Sequence, residues 1–271
     1  MRDNDQVRAD PSELLDLAVE IAQAAGALLL NKRPAEVAVT ATKSSPTDIV
    51  TEMDRASEAL ITTALRAARP DDALLGEEGT ADPGRSGVRW LIDPIDGTVN
   101  YLYDIPAWSV SIAAEVDGEV VAGVVHVPPL GETFTATRGG GAQLDGTPIH
   151  ANGPVPLDQA LVATGFGYES ARRAKQAEVV RGLLPLVRDI RRAGSAAIDL
   201  SWVASGRVDA YYERGPQPWD FAAGVLIARE AGAVAAGLYG RPPSPELTIA
   251  APRELFEQLH DLLAAAGADR D

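Results

Sequence analysis

The chain of 271 residues contains no cysteine and only three histidines, His126, His150 and His260, which lie far apart in the sequence. The absence of cysteine excludes thiol nucleophiles, disulfides, iron–sulfur clusters and cysteine-ligated zinc. The scattered histidines argue against a zinc site built mainly on imidazole. If this chain is an enzyme, its chemistry must therefore rest on carboxylates, hydroxyls and the hard cations that oxygen ligands bind.

Positive charge is also scarce, with 24 lysines and arginines against 39 acidic residues and a formal net charge of −15. This balance argues against nucleic acid as a partner, because binding it needs cations to neutralise phosphates, and against a polybasic contact with a membrane. The most apolar stretch, 18–30, contains Glu20 and Gln23 and is too short to span a bilayer. The first five residues lack the features of a signal peptide, so we predict a cytoplasmic protein.

The N-terminal half begins with two helical patterns and continues with strands. Asp10 and Pro11 predict the start of a helix that runs to about Asn31. A second helix is predicted over about 52–68, and short β-rich runs follow, two of them joined by the hairpin signal Asp117-Gly118. We therefore predict an antiparallel sheet within residues 11–150.

The C-terminal half, about 151–271, alternates strands with helices, which is typical of a layered α/β arrangement. With short strands between them, helices are predicted near 170–187, 196–204, 221–231 and 254–265. No linker separates the two halves. We therefore predict a single domain over residues 1–271, of class α/β, with its layers arranged as an αβαβα sandwich.

The most informative segment is Trp90-Leu91-Ile92-Asp93-Pro94-Ile95-Asp96-Gly97-Thr98, in which a hydrophobic strand leads into two acids separated by two residues. Pro94 is expected to end the strand, and Gly97 permits a positive φ or a close backbone approach. A helix that begins near Thr98 would point its free N–H groups at the same place as the two carboxylates. This combination can hold Mg²⁺ and a phosphate. The same residues are equally typical of an ordinary capped turn.

Three further segments place acids where an element ends or begins. Glu77 and Glu78 follow an apolar run, and Asp220 comes at the start of an apolar helix. Asp54 lies three residues after Thr51. Taken singly, these segments have ordinary explanations, namely a solvated loop, an N-cap and a capping box. Their combination predicts a site for hard cations.

In this order the four segments resemble the inositol monophosphatase family of Mg²⁺-dependent, lithium-sensitive phosphatases. The resemblance is carried by Gly76-Glu77-Glu78, Asp93-Pro94-Ile95-Asp96-Gly97-Thr98 and Trp219-Asp220-x-Ala222-Ala223-Gly224. Supporting segments are Lys43-Ser44-Ser45-Pro46-x-Asp48-x-Val50-Thr51-x-x-Asp54, Arg192-x-Gly194-Ser195-Ala196-Ala197 and Val208-Asp209-Ala210-Tyr211-Tyr212-Glu213. It extends from about Leu14 to the C-terminus, and Gly165-Phe166-Gly167-Tyr168 favours the bacterial inositol-1-phosphatase branch. The resemblance implies an αβαβα sandwich and a homodimer.

The resemblance also implies two or three Mg²⁺ ions in each active site. The expected metal ligands are Glu77, Asp93, the carbonyl oxygen of Ile95, Asp96 and Asp220. Asp93 is expected to bridge the ion held by Glu77 and the ion held by Asp220. Glu78 and Asp48 belong to the matching segments and are expected to lie behind these ligands without touching the metal.

Catalytic and substrate-binding residues follow from the same resemblance. Thr98, hydrogen-bonded to Asp54, is expected to help Glu77 activate the attacking water. The backbone N–H groups of Gly97 and Thr98 are expected to hold the phosphate. The remaining residues expected to face the substrate are Gly194, Ser195, Ala196, Glu213 and Asp220.

The leading prediction is a phosphomonoesterase that hydrolyses myo-inositol monophosphate, a small phosphorylated polyol, by direct attack of water. The residues themselves leave a phosphoaspartate intermediate open, and the family resemblance argues against it. Histidinol phosphate, fructose 1,6-bisphosphate and 3′-phosphoadenosine 5′-phosphate suit the same chemistry, while Glu213 favours a neutral polyol or a cationic amine. The alternative from another class is a binding or regulatory protein that retains the fold.

Overall fold

The structure is a computed structural model that describes residues 9–34, 37–43 and 49–270. The helices of this part of the chain are α1 Pro11–Asn31, α2 Glu52–Ala68, α3 Thr98–Tyr103, α4 Ser170–Leu183, α5 Ala196–Ala204, α6 Pro218–Glu230 and α7 Arg253–Ala265. The strands of its first half are β1 Val39–Thr42, β2 Ile49–Thr51, β3 Ala73–Gly76, β4 Ala81–Asp82, β5 Val88–Asp96, β6 Ser109–Val116, β7 Glu119–Val127, β8 Glu132–Thr137, β9 Gly141–Leu144 and β10 Thr147–Ile149. Those of its second half are β11 Leu161–Thr164, β12 Asp189–Arg191, β13 Ala210–Glu213, β14 Val234–Ala236 and β15 Thr248–Ala251.

The first two helices begin where the sequence predicts. Asp10 caps α1, its carboxylate accepting the N–H of Ser12 at 2.9 Å, and Pro11 takes the first helical position. Thr51 and Asp54 form a capping box at the start of α2. Both starts are predictable because the capping residues satisfy N–H groups within the same helical turn.

Two predicted helix boundaries are wrong. The helix predicted near 170–187 ends at Leu183, and a single 3₁₀ turn follows. Pro185 lacks the N–H that a further α-helical turn needs, and its ring crowds the carbonyl group four residues earlier. The helix predicted near 221–231 is α6, which already begins at Pro218 because proline suits a first helical position. Asp220 is therefore the third residue of α6 and not its cap.

The described strands form two large sheets and the small pair β1–β2. The first sheet has the order β10-β9-β8-β7-β6-β5-β3-β4 and is antiparallel except for the pair β3–β5. Its hairpin β6–β7 turns at Asp117 and Gly118, which both have positive φ, as the predicted two-residue turn requires. The second sheet has the order β12-β11-β13-β15-β14 and contains parallel and antiparallel pairs.

Buried apolar side chains join these elements into five layers. Helices α1 and α2 pack on one face of the first sheet, and α5 and α6 pack on its other face. The same two helices cover one face of the second sheet, while α4 and α7 cover the far face. The α/β class and the predicted αβαβα sandwich are thus confirmed, whereas the single domain over 1–271 stays a prediction. Within the described ranges, none of the helices combines the length and the apolar composition that a membrane crossing requires.

Candidate active site

A bulge at the end of β5 positions two of the predicted carboxylates. Asp93 pairs with Ser111 of β6 and Asp96 pairs with Ser109, so β5 contains one more residue than its partner over this interval. The strand therefore continues through Pro94 to Asp96, and the prediction that it ends at Pro94 is wrong. Proline is compatible with a bulge because the ladder there does not need its missing N–H. The bulge leaves both carboxylates buried at the end of one strand.

Three acids from distant parts of the sequence meet at this end of the sheet. Glu77 directly follows β3, which runs parallel to β5, and its N–H donates to the carbonyl of Ile92 at 3.1 Å. Asp220 reaches the same place from the first turn of α6. Carboxylate oxygens of Glu77, Asp93 and Asp220 all lie within 4.8 Å of one another. These three residues, called the acid triad below, form a donor set of the kind that hard divalent cations prefer.

The acid triad is electrostatically unfavourable by itself. Burial raises the pKa of Asp93 well above its usual range, and the negative charges of Glu77, Asp96 and Asp220 raise it further. Burial and the charge of Glu77 likewise raise the pKa of Asp220. A bound cation would remove both effects by compensating the charge. The residues present therefore fit a divalent metal ion.

Asp96, which was predicted as a metal ligand, also holds the start of α5. One of its oxygens accepts the hydroxyl of Ser195 at 2.6 Å and the N–H of Ala197 at 2.7 Å. Burial raises the pKa of Asp96 to about 6, although these hydrogen bonds oppose the shift. The predicted substrate residues Ser195 and Ala196 are thereby fixed beside the end of β5.

The predicted contact between Thr98 and Asp54 is present. The Thr98 hydroxyl oxygen lies 2.9 Å from one oxygen of Asp54 and 3.0 Å from the carbonyl oxygen of Ile95. The other oxygen of Asp54 accepts the N–H of Thr51 at 2.8 Å. Burial raises the pKa of Asp54 even though these hydrogen bonds oppose the shift. The capping box and the predicted contact with Thr98 are thus both present, since each uses a different oxygen of the same carboxylate, and the catalytic role of this pair stays a prediction.

Lys43 is a site residue that the sequence analysis did not single out. Its ammonium group lies 2.7 Å from Glu77 and 2.6 Å from Glu78. Burial lowers the pKa of Lys43, but the two neighbouring carboxylates outweigh burial and raise it overall. Glu78 is therefore occupied by an ion pair with Lys43, and its place behind the metal ligands stays a prediction. Asp48, predicted to act in the same way, lies outside the described residues.

A cavity of about 300 Å³ connects the predicted metal and substrate residues. Of the residues predicted from the sequence, its wall includes Glu77, Asp96, Gly97, Gly194, Ser195, Ala196, Glu213 and Asp220. Asp54, Asp93 and Ile95 are buried and do not line the cavity, and neither does the half-buried Thr98. Arg172 and Asp199 also line the cavity, although they belong to none of the segments from which the site was predicted.

Glycines allow the backbone to approach the polar groups of the cavity. Gly97 has a φ of +100° at the start of α3, and a Cβ atom there would lie 3.0 Å from the carbonyl oxygen of Ala107. A Cβ atom on Gly165 would lie 2.1 Å from the carboxylate of Glu213, so a larger residue there would displace that side chain. Burial raises the pKa of Glu213 to about 7, while a hydrogen bond from the Tyr211 hydroxyl at 3.1 Å opposes the shift.

Comparison with known proteins agrees with this geometry. The sequence profile of the inositol monophosphatase family matches residues 10–268. Inositol-1-monophosphatase SuhB of Mycobacterium tuberculosis (strain ATCC 25618 / H37Rv) is 47% identical over 245 residues, which cover 83% of each chain. Nus factor SuhB of Escherichia coli (strain K12) is 40% identical over 229 residues, covering 84% of this chain and 86% of the relative.

Solved structures with the same arrangement include two bacterial proteins. The extragenic suppressor protein suhB of Bartonella henselae superposes with a TM-score of 0.87 at 34% identity, covering 93% of this chain and 98% of the other. The IMPase TM1415 of Thermotoga maritima superposes with a TM-score of 0.86 at 31% identity, covering 94% and 98%. Similarity in sequence and similarity in structure thus point to the same group of proteins.

Proposed function

Since the chain belongs to the inositol monophosphatase family, we propose that it is a Mg²⁺-dependent enzyme that hydrolyses myo-inositol monophosphate to inositol and inorganic phosphate. The family and the named relatives support a phosphatase of this type. The observation that carries the proposal is the acid triad, in which Glu77, Asp93 and Asp220 converge within 4.8 Å beside a polar cavity.

The donor set of the triad consists of carboxylate oxygens only, which suits Mg²⁺ better than a softer metal. Glu77, Asp93 and the carbonyl of Ile95 would hold one ion, and Asp93, Asp96 and Asp220 would hold a second. Two or three such ions, when bound, supply charge neutralisation and lower the pKa of water. Asp93 is central to this arrangement because it is proposed as a ligand of both ions.

Thr98 and Asp54 orient the attacking water in this proposal. Asp54 fixes the Thr98 hydroxyl at 2.9 Å, which leaves the lone pairs of that oxygen available to a water molecule beside Glu77. The water oxygen forms a bond to phosphorus, and Glu77 accepts its proton. The bond from phosphorus to the ester oxygen breaks, and the alkoxide takes a proton from water on the side of Asp220. The hydroxide that this leaves is neutralised by the proton that Glu77 accepted, so the net reaction consumes one water molecule. General-base assistance of this kind contributes about 10²–10⁴-fold to a rate.

Phosphate and polyol would bind on opposite sides of this reacting centre. The backbone N–H groups of Gly97 and Thr98 are proposed to hold the phosphate oxygens. Gly194, Ser195 and Ala196 at the start of α5 and Glu213 at the end of β13 are proposed to face the polyol. Since Glu213 is a hydrogen-bond acceptor when ionised, it suits hydroxyl groups better than a second phosphate.

A panel of phosphate esters tests the reaction and the substrate together. We expect phosphate release in Mg²⁺ with the highest kcat/KM for myo-inositol 1-phosphate, and we expect Li⁺ to inhibit it. The other members are histidinol phosphate, fructose 1,6-bisphosphate and 3′-phosphoadenosine 5′-phosphate. A higher kcat/KM for any of these would contradict the proposed substrate while leaving the phosphatase intact. The absence of release from every member would contradict the phosphatase itself.

A binding or regulatory role is the second candidate function. One observation favours it, because a relative at 40% identity carries the name Nus factor SuhB. The intact acid triad favours the enzyme. Failure of the whole panel described above would make the regulatory role the better proposal.

The family resemblance also supports a homodimer. We expect light scattering of the purified protein to give a mass of twice the 28.4 kDa of one chain. Because dimers dissociate by mass action, the mass should be measured at several protein concentrations. A mass of one chain at every concentration would contradict the homodimer.

A further inference from the structure

Asn100 is a buried residue of α3 whose side-chain amide bonds to two loops outside its own helix. Only 5% of its surface is exposed. Its Nδ2 atom donates to the carbonyl oxygen of Ala107 at 2.6 Å and to the carbonyl oxygen of Ala193 at 2.8 Å. Ala107 lies just before β6, whereas Ala193 is 93 residues further along the chain than Asn100 and lies just before α5. The amide therefore joins α3 to a distant part of the chain.

The bond to Ala193 fixes the backbone that leads into α5, residues 193–197, called the α5 entry below. The approach is close, because a Cβ atom on Gly194 would lie 2.8 Å from Nδ2 of Asn100. Gly194 has a φ of +98°, a conformation that glycine adopts without strain. Asn100 thus holds the α5 entry at its first residue.

Asp96 holds the α5 entry from its other end. Its Oδ2 atom accepts the hydroxyl of Ser195 and the N–H of Ala197. Asp96 is also the one proposed side-chain ligand of the metal that does not belong to the acid triad. The direction of its carboxylate relative to the triad therefore depends on where the α5 entry lies. Since Asn100 fixes that segment, its amide can act on Asp96 through a few backbone atoms.

The neighbouring side chain of α3 makes a similar hydrogen bond in another direction. The hydroxyl of Tyr101 donates to the carbonyl oxygen of Leu29 in α1 at 3.0 Å, and Tyr101 is buried like Asn100. Both residues thus join α3 to a backbone carbonyl elsewhere in the chain. Tyr101 joins it to α1, whereas Asn100 joins it to the α5 entry. The two residues therefore form a matched pair for separating the stability of α3 from the position of the α5 entry.

We propose that Asn100 is a positioning residue for Asp96, which it acts on by fixing the α5 entry, so that the Asp96 carboxylate is held in the orientation in which it binds a metal ion. This inference rests on the proposed function, because it takes Asp96 as a ligand of Mg²⁺, and it adds a residue to which that proposal gives no role. Replacing a side chain that orients a metal ligand typically weakens metal binding by about 10–100-fold. Metal affinity should therefore depend on Asn100.

Replacement of Asn100 with alanine tests this role through the affinity for Mg²⁺. The thermal unfolding midpoint, measured over a series of Mg²⁺ concentrations, gives an apparent Kd for the ion. We expect Asn100→Ala to raise this apparent Kd about tenfold. The Mg²⁺ concentration that gives half-maximal phosphate release should rise by a similar factor. Asn100→Ser, which keeps one hydroxyl donor, carries the test if Asn100→Ala does not fold.

Tyr101→Phe is the matched control, because it removes one buried hydrogen bond of the same helix. We expect it, like Asn100→Ala, to lower the unfolding midpoint in EDTA by about 2–4 °C. It should nevertheless change the apparent Kd for Mg²⁺ by no more than about twofold. Equal weakening of Mg²⁺ binding by the two variants would show that Asn100 acts only through the stability of α3, and it would overturn the inference.

A double substitution tests whether Asn100 acts through Asp96. Asp96→Asn alone should weaken Mg²⁺ binding because it removes a charged ligand. Adding Asn100→Ala to Asp96→Asn should weaken binding no further, since two residues that act through the same contact are not additive. An equal effect of Asn100→Ala with and without the Asp96 carboxylate would contradict the proposed route.

The wild-type protein separates this inference from the proposed function. If Mg²⁺ does not raise its unfolding midpoint and releases no phosphate, the metal-dependent reaction is wrong, and the role of Asn100 falls with it. If Mg²⁺ stabilises the wild-type protein and Asn100→Ala with the same apparent Kd, the inference is wrong and the phosphatase stands.

Discussion

Replacing Asp93 with asparagine is expected to reduce Mg²⁺-dependent phosphate release by about 10³-fold or more, as for the loss of a preorganised group that stabilises transition-state charge. The same substitution is expected to raise the thermal stability of the protein in a chelator. Activity and stability should therefore change in opposite directions. A loss of activity together with a gain in stability distinguishes a residue with a catalytic role from a residue that stabilises the fold.

The loss of activity follows from the position of Asp93 in the acid triad. It lies between Glu77 and Asp220, and only 2% of its surface is exposed. An asparagine has nearly the same shape but offers a neutral amide, which is a weaker ligand for Mg²⁺ than a carboxylate. Both proposed ions would lose a charged ligand at once.

The gain in stability follows from the pKa of the same carboxyl. Burial and the charges of Glu77, Asp96 and Asp220 raise the pKa of Asp93 in the folded protein, so its ionised form is disfavoured there relative to the unfolded chain. At pH 7.5 the unfolded chain contains an ordinary ionised aspartate, and folding must either protonate that group or bury its charge. Asparagine removes this penalty. The free energy of unfolding measured in EDTA should therefore increase.

Asp117→Asn provides the matched control for Asp93→Asn. Asp117 lies exposed in the β6–β7 hairpin with a φ of +52°, a conformation that asparagine tolerates well. The control makes the same chemical change on the surface and should alter activity by less than about twofold. Near-normal turnover of Asp93→Asn would rule out the two-ion assignment. Destabilisation of that variant in EDTA would show that Asp93 has a structural role instead.

The sequence predicts the parts of this fold that depend on local interactions. Asp10 and Pro11 define the start of α1 because a cap satisfies N–H groups within one turn. Asp117-Gly118 defines a hairpin because both residues adopt positive φ readily. The meeting of Glu77 and Asp93 is also understandable from the sequence, since acids that follow two parallel strands are brought to one edge of a sheet, whereas the full set of candidate ligands, with Asp220 from a helix, follows from the family resemblance.

What the sequence does not predict depends on tertiary contacts. Pro94 is a strand breaker in most settings, and only its pairing with β6 places it in a bulge that continues β5 to Asp96. Lys43 precedes a segment outside the described residues, and its ion pairs with Glu77 and Glu78 join parts of the chain more than thirty residues apart. Asp199 looks like an ordinary acid in the first turn of a helix until its burial and unpaired oxygen are known.

The second large expected effect is on the stability of the protein, which should depend on both pH and bound Mg²⁺. In EDTA, the protein is expected to lose stability as the pH rises from about 4 to about 7, whereas most proteins gain stability over the acid part of this range. Burial raises the pKa of Asp96 from an ordinary 3.8 to about 6 and that of Glu213 from 4.5 to about 7. Asp93 and Asp220 shift in the same direction.

The sign follows from proton binding. Between the ordinary pKa and the raised one, the folded protein binds more protons than the unfolded chain, so the free energy of unfolding falls as the pH increases. For Asp96, the difference between 3.8 and about 6 corresponds to on the order of 3 kcal/mol, fully present below pH 4 and lost as the pH passes 6. Carboxyl groups with lowered pKa values, such as that of Asp189, act in the opposite direction but are exposed.

Saturating Mg²⁺ should reverse the pH dependence of stability, so that the protein becomes more stable as the pH rises. An ion that binds the folded protein alone stabilises it by about 3 kcal/mol when its free concentration is about 100 times its Kd. Protons compete with the metal for the same carboxylates, so Mg²⁺ should stabilise the protein far more at pH 7.5 than at pH 5. The experiment measures the thermal unfolding midpoint under four conditions, at pH 5 and pH 7.5, each in EDTA and in Mg²⁺.

Substitution of Asp93 makes this experiment specific to the acid triad. Asp93→Asn removes one carboxyl with a raised pKa and weakens the repulsion acting on its neighbours, so the loss of stability with pH in EDTA should become smaller. The same variant should lose most of its stabilisation by Mg²⁺ at pH 7.5, and Asp117→Asn should retain the wild-type behaviour in both respects. A wild-type midpoint that rises with pH in EDTA would contradict the electrostatic account of the site. Equal stabilisation by Mg²⁺ at pH 5 and pH 7.5 would show that the ion binds elsewhere.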